Sequence, residues 1–176
     1  TWTQRNYPVS TLVEFSTLTG ACKVALGDSL AGLFSNSDEL SNKLLEIGQK
    51  YHEPLWRLPI CEEHTESIKG TDSDLKSTGE GNILWIFGPA FPNFHLRYGG
   101  ASNAAAFLQN FVEKDVKWAH IDIAGYFFHM RNIHQATKIL IRPSESGKER
   151  QIFSKGATGF GVRLMLMFLK SGGLSN

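Results

Sequence analysis

Apolar and polar residues alternate from Thr11 to Ser16, with Val13 and Phe15 on one side and Glu14 and Ser16 on the other, which predicts a strand. The alternation breaks at Thr17-Leu18-Thr19-Gly20, so the strand feeds an open loop. Before it, Thr1 to Asn6 read as the polar end of a helix that starts upstream, stopped by Tyr7-Pro8. After the loop, Ala31-Gly-Leu-Phe-Ser brings the chain to Asn36, read as an N-cap with Glu39 in the capping-box position. A helix from Ser37 to about Lys50 follows, with Leu40, Leu44 and Ile47 on one face and Glu39, Lys43 and Glu46 toward water. Glu53 to Pro59 is a proline-bracketed extended segment. Ala104, Phe107, Leu108 and Phe111 recur at helical spacing and predict a helix buried along that stripe, its alanine run allowing close approach to a sheet. From Trp118 to Ala124 a second strand places Trp118, His120 and Asp122 on one face and Ala119, Ile121 and Ile123 on the other. A last helix carries Gly161, Leu164, Met165 and Phe168 on its apolar face. The pattern is α/β: a mixed sheet flanked by helices, with strands 11–16 and 118–124 side by side or close.

Composition narrows the function classes. A length of 176 residues suits one domain, and a formal net charge of +1 provides no electrostatic footprint for nucleic acid or an anionic membrane surface. No apolar run is long enough to cross a bilayer, and the first residues lack an apolar signal core, so a soluble, cytoplasmic protein is expected. The two cysteines, Cys22 and Cys61, lack metal-ligand spacing and fit a reducing compartment; both are read as buried thiols. A start at Thr1 without methionine is read as a fragment or a processed product.

Several groups invite chemistry. The loop Thr17 to Gly20 offers backbone amides and carbonyls to an extended, peptide-like ligand, against the plainer reading of a strand-to-helix connection. His120 and Asp122 share a strand face and have a metal-ligand spacing, but such a pair is more often a satisfied polar contact. Glu62-Glu63-His64 are consecutive and do not converge on one ion, so they read as a solvated helix start. Asp72 and Asp74 are left structural. His129, Met130 and His134 do not share a helical face.

The wording of several blocks adds a family resemblance. Thr17-Leu-Thr-Gly-Ala-Cys22, Ala25-Leu-Gly27, Ala31-Gly-Leu-Phe-Ser-Asn36, Glu53-Pro-Leu-Trp-Arg-Leu-Pro59, Arg97-Tyr-Gly-Gly-Ala-Ser-Asn103, Trp118-Ala-His-Ile-Asp-Ile-Ala-Gly125 and Lys155-Gly-Ala-Thr-Gly-Phe-Gly-Val-Arg163 occur in order. Together they resemble the C-terminal part of the catalytic domain of the leucyl aminopeptidase family, the cytosol-aminopeptidase type. The resemblance implies a single partial catalytic domain over residues 1–176. It implies a peptidase that removes leucine-like residues from the amino terminus of a peptide substrate, using two divalent metal ions, zinc or manganese, that activate a bridging water. It places Thr17, Leu18, Thr19 and Gly20 along the substrate backbone and Ala124 at the pocket for the first side chain. It also implies a homo-oligomer, a hexamer in the family.

The family's metal ligands and its catalytic lysine and arginine precede that loop, the last of them in Asn-Thr-Asp-Ala-Glu-Gly-Arg, which does not occur here. No metal ligand or catalytic residue is therefore assigned, and these 176 residues alone are expected not to hydrolyse a peptide. A non-catalytic homologue serving as a structural or binding subunit is the alternative. Two stretches, 82–96 and 126–142, depart from the family pattern as apolar insertions, either loops or retained introns. Mass-spectrometric peptides that span them identify loops, and peptides that join across them identify introns.

Overall fold

The computed structural model describes residues 1–77, 99–127 and 158–174. Among them, strands β1 (Thr11–Ser16), β2 (Ala31–Ser35), β3 (Leu55–Arg57) and β4 (Lys117–Asp122) form one sheet in the order β1-β4-β2-β3. β1 runs parallel to β4, β4 antiparallel to β2, and β2 parallel to β3, so the sheet is mixed. Helices α1 (Trp2–Asn6), α2 (Gly20–Leu26), α3 (Asp38–Lys50), α4 (Glu62–Ser67), α5 (Gly100–Gln109), α6 (Ala124–Phe127) and α7 (Val162–Lys170) surround it. The expected α/β class and the neighbouring of the two anchoring strands both hold. The central strand β2 is the element that the hydropathy pattern leaves unassigned, because Ala31, Gly32, Leu33 and Phe34 are all buried and show no alternation.

The alternation along β4 separates two cores. Ala119 and Ile121 point to a layer with Leu33, Leu40, Leu44, Ile47, Leu164 and Phe168, which packs α3 and α7 on one face. Trp118 points to the other layer with Cys22, Phe34, Ala101 and Ala105, under α2 and α5. The stripe read from α3 is the one buried, and each of Leu40, Leu44 and Ile47 contributes on the order of 1.5–3 kcal/mol by leaving water.

Two local readings are corrected. The cap of α3 is Ser37, whose hydroxyl accepts from Leu40 N at 3.3 Å, and not Asn36. The amide of Asn36 is used elsewhere: its Oδ1 accepts from Trp118 N at 2.7 Å and its Nδ2 donates to Val116 O at 2.9 Å, continuing the β2–β4 ladder past the last backbone pair. Glu39 pairs instead with Lys117, at 2.8 Å. In α5 the buried residues are Ala101, Ser102, Asn103, Ala105 and Ala106, whereas Phe107 and Leu108 are only partly covered and Phe111 is 47% exposed. Small side chains face inward because they let the helix backbone approach the sheet.

A buried carboxylate fixes α7. Glu53, 2% exposed, accepts from Gly161 N at 3.1 Å and Leu164 N at 2.7 Å, satisfying two amides of the helix start. Gly161 has φ +92°, and a Cβ there would lie 2.6 Å from the ring of Phe15. Glu53→Ala strands both amides and is expected to lower the unfolding free energy by about 3 kcal/mol, with Glu53→Gln losing roughly half of that. Urea unfolding of the two variants measures this, and a loss for Glu53→Ala under about 0.5 kcal/mol would show that the cap carries no stability.

Candidate functional site

Parallel pairing of β1 and β4 brings two distant segments to one place. Ser16 stands opposite Asp122, and Ile123 N donates to Ser16 O at 2.9 Å, so the residues after each strand leave the sheet side by side. In α/β sheets such adjacent carboxyl ends are where loops converge on ligands. From β1 the loop Thr17 to Thr19 leads into α2, which begins at Gly20. Thr19 is its N-cap, its Oγ1 accepting from Cys22 N at 3.0 Å. From β4 the chain turns through Ile123 into α6 at Ala124. A Cβ on Gly125 would run into the carbonyl oxygen of Gly27, so only glycine lets α6 lie against the end of α2.

The carboxylate of Asp122 joins the two segments. Its Oδ2 accepts from Thr19 N at 3.0 Å and from Thr19 Oγ1 at 2.7 Å, and its Oδ1 accepts from Ala124 N at 3.0 Å. Its side chain is 0% exposed. Three donors replace the water that burial removes. The third also ends the strand: β4 stops at Asp122, short of the expected Ala124, because the Ala124 amide turns back onto the carboxylate instead of continuing the ladder.

Among the residues assigned from sequence, Thr19 and Ala124 meet on one carboxylate. Thr17, Leu18 and Gly20 are exposed, and Ala124 is buried, 2% exposed. Asp122, read from sequence as a satisfied polar contact, is satisfied by Thr19, 103 residues away, a partner that nothing local marks. Its neighbour His120 is fully buried, stacked on the rings of Phe34 at 5.7 Å and Trp118 at 6.4 Å. The His120 Nδ1 stands 2.7 Å from Glu14 Oε1, off the line of a hydrogen bond. His120 and Asp122 thus face different partners and do not act as a pair.

Other candidates separate from this site. Among the described residues, no group of three His, Cys, Asp or Glu side chains is placed to hold a metal ion, and the carboxylate at the loop already has its donors, so these residues do not fit a metal centre. Glu62, Glu63 and His64 form the first turn of α4, with His64 Nδ1 accepting from Cys61 N at 3.0 Å. Asp72 and Asp74 are exposed. A groove of about 350 Å³ lined by Ser35, Arg57, Leu58, Pro59 and Ile60 lies at the opposite end of β2 from the loop. His129, Met130, His134 and residues 82–96 lie outside the described residues, as does nearly all of the 126–142 stretch. No helix among the described residues is long and apolar enough to cross a membrane.

In this α/β sheet a capped loop and a small-residue turn converge at adjacent strand ends, the place where such sheets commonly bind ligands. The chain belongs to the cytosol aminopeptidase family, matching its catalytic domain over residues 1–166. It is 38% identical over 170 residues to a probable cytosol aminopeptidase of Chlorobium limicola, covering 97% of this chain and 27% of that protein. A probable cytosol aminopeptidase of Synechococcus elongatus is 38% identical over 163 residues, covering 93% and 26%. The fold matches a tomato leucine aminopeptidase mutant with a TM-score of 0.66 and 32% identity, over 94% of this chain and 25% of that one. The chain therefore spans about a quarter of the length of the relatives it matches.

The two cysteines differ, which corrects the reading of both as buried: Cys22 is buried and Cys61 exposed. Burial, and then the charge of Asp122, push the Cys22 thiol from 9.0 up to about 11. The Glu63 carboxylate, in hydrogen-bond contact with the Cys61 Sγ at 3.1 Å, raises the Cys61 thiol as well. A native thiol titration is expected to find Cys61 alone, and Glu63→Gln to speed its reaction by freeing the thiolate. For Cys22 the folded state holds its proton up to about 11 while the unfolded chain releases it near 9.0, so unfolding releases a proton in between. Stability is unaffected below pH 9 and falls as pH rises from about 9 to 11, by about 2–3 kcal/mol. Urea unfolding of wild type and Cys22→Ala across that window checks this: the variant is expected to lack this component, and parallel losses in both would exclude Cys22 as its source.

Proposed function

We propose that this chain forms the substrate-side wall of an aminopeptidase active site. Thr17 to Gly20 lies along the backbone of a bound peptide, and Ala124 sits at the base of the pocket for its amino-terminal side chain. The observation that carries this reading is the parallel register of Ser16 with Asp122, which delivers both segments to one end of the sheet. Membership of the cytosol aminopeptidase family supports the reaction class, hydrolysis of an amino-terminal peptide bond, and the tomato relative's name supports leucine as a preferred first residue.

Two divalent metal ions, zinc or manganese, supply the activated water in this reading, on ligands outside the described residues, since those described do not fit. The wall does the binding, so the isolated 176-residue chain is inactive and the complete enzyme is active. We also propose a homo-oligomer and a cytosolic location, the latter supported by the name of the relatives.

Leucine 4-nitroanilide assays of the isolated chain and of the full-length protein containing it test the proposal. No turnover by the chain with added zinc or manganese, and chelator-sensitive turnover by the full-length protein, are expected. Turnover by the isolated chain would overturn the division of labour, and a full-length protein that binds leucyl peptides without turnover would be a binding subunit. A Cβ on Gly20 meets no atom within 4 Å, so Gly20→Ala fits the fold while reaching into the space assigned to substrate. It is expected to raise KM about tenfold, roughly 1.4 kcal/mol, and an unchanged KM would remove Gly20 from the site.

A further inference from the structure

We infer that Asp122 is a positioning residue that sets the substrate-backbone loop and the first-residue pocket as one unit, a role that rests on the proposed function. The geometry is specific. One buried carboxylate takes the amide and hydroxyl of Thr19 on Oδ2 and the amide of Ala124 on Oδ1. The hydroxyl of Thr19 in turn accepts from Cys22 N, so the same contact sets where α2 begins. Loop and pocket are otherwise tied through backbone pairing of their strands, which ends with the Ile123 N to Ser16 O bond, and through the packing of α6 against the end of α2 at Gly125 and Gly27. Among the described residues, the Asp122 carboxylate is the side chain that bonds Thr19 and Ala124 to a single group.

An acceptor-only group is required. Each of the three partners offers a proton, and an ionised carboxylate has acceptors on both oxygens. Asn at this position keeps one acceptor oxygen and turns a donor toward either Thr19 or Ala124, so one of the two segments is released whichever way the amide points. A loosened loop binds the substrate backbone less well, and a pocket whose wall has drifted discriminates less among first side chains. Chemistry at the scissile bond, performed by other groups, changes less. The signature is therefore a rise in KM and a flattened leucine-over-alanine preference, with kcat on the best substrate largely kept.

The test uses the full-length protein with Asp122→Asn, Thr19→Val, Thr19→Ser and the Asp122→Asn/Thr19→Val double variant. Thr19→Val removes the hydroxyl at a partly exposed position and serves where Asp122→Asn fails to fold. Expected are a KM raised about tenfold for Asp122→Asn and for Thr19→Val, a leucine-over-alanine ratio lowered about tenfold, and kcat on leucyl substrates within about threefold of wild type. Thr19→Ser restores the hydroxyl and is expected to behave as wild type, and the double variant to be little worse than either single one. Hydrogen exchange at the amides of Thr19, Cys22 and Ala124 is expected to speed in Asp122→Asn. Folded variants with wild-type KM and selectivity, or with unchanged exchange at these amides, would overturn the positioning role. A wild-type protein without turnover overturns the proposed function instead, and the exchange comparison then decides separately whether the carboxylate holds the loop.

Discussion

Strand β4 has neighbours on both edges and a hydrophobic layer on both faces, so all of its backbone groups must find partners inside the protein. That constraint shapes what surrounds it. On one edge the parallel ladder with β1 runs to Ser16, and on the other the antiparallel ladder with β2 is continued by the side chain of Asn36 and closed by Ser35, whose hydroxyl donates to Trp118 O at 2.6 Å. Where the ladders stop at the carboxyl end, Asp122 takes over and receives the next free amides itself. The candidate site sits where backbone pairing gives way to a side chain.

Buried charge follows the same logic twice. Glu53 and Asp122 are both almost wholly buried carboxylates, and among the described residues each accepts from backbone amides, Asp122 also from the Thr19 hydroxyl, with no cation paired to it. Amides fixed by a strand or helix are already oriented, so they solvate an anion without the side-chain entropy that a lysine or arginine would lose. Glu53 locks the last helix onto the sheet, and Asp122 locks the loop onto the turn. One is placed for stability and the other lies among the residues assigned to substrate, although their chemistry is alike.

Close approach is the third requirement, met by small residues. A Cβ on Gly32 would lie 2.6 Å from the Cys22 Sγ, so α2 rests directly on β2 at that point. Gly125 allows the same contact between α6 and the end of α2. The alanines of α5 bring that helix down beside Trp118 and Cys22. With α2 held at both ends, the loop that precedes it has little freedom apart from the Thr17–Leu18 rim.

Much of this was legible in one dimension. Periodicity determined α3 and α7, because each buries one apolar stripe against the core, and the alternation of residue types along β1 and β4 marked both as strands although β4 is buried on both faces; the blocks of family wording singled out the loop after β1. β2 escaped because Ala31, Gly32, Leu33 and Phe34 are all small or apolar, with no change of residue type from one face to the other to read. The inward face of α5 is its small residues rather than its aromatic stripe, because close approach to the sheet favours alanine. Cys61 is exposed because it caps the surface helix start that Glu62, Glu63 and His64 already mark as solvated, whereas cysteine itself favours burial. At the site, the sequence by itself determined that Thr17 to Gly20 breaks a strand and that Ala124 is small. Only the tertiary structure decided that Thr19 and Ala124 share the carboxylate of Asp122, because that contact joins residues a hundred positions apart through a parallel pairing that no local pattern encodes.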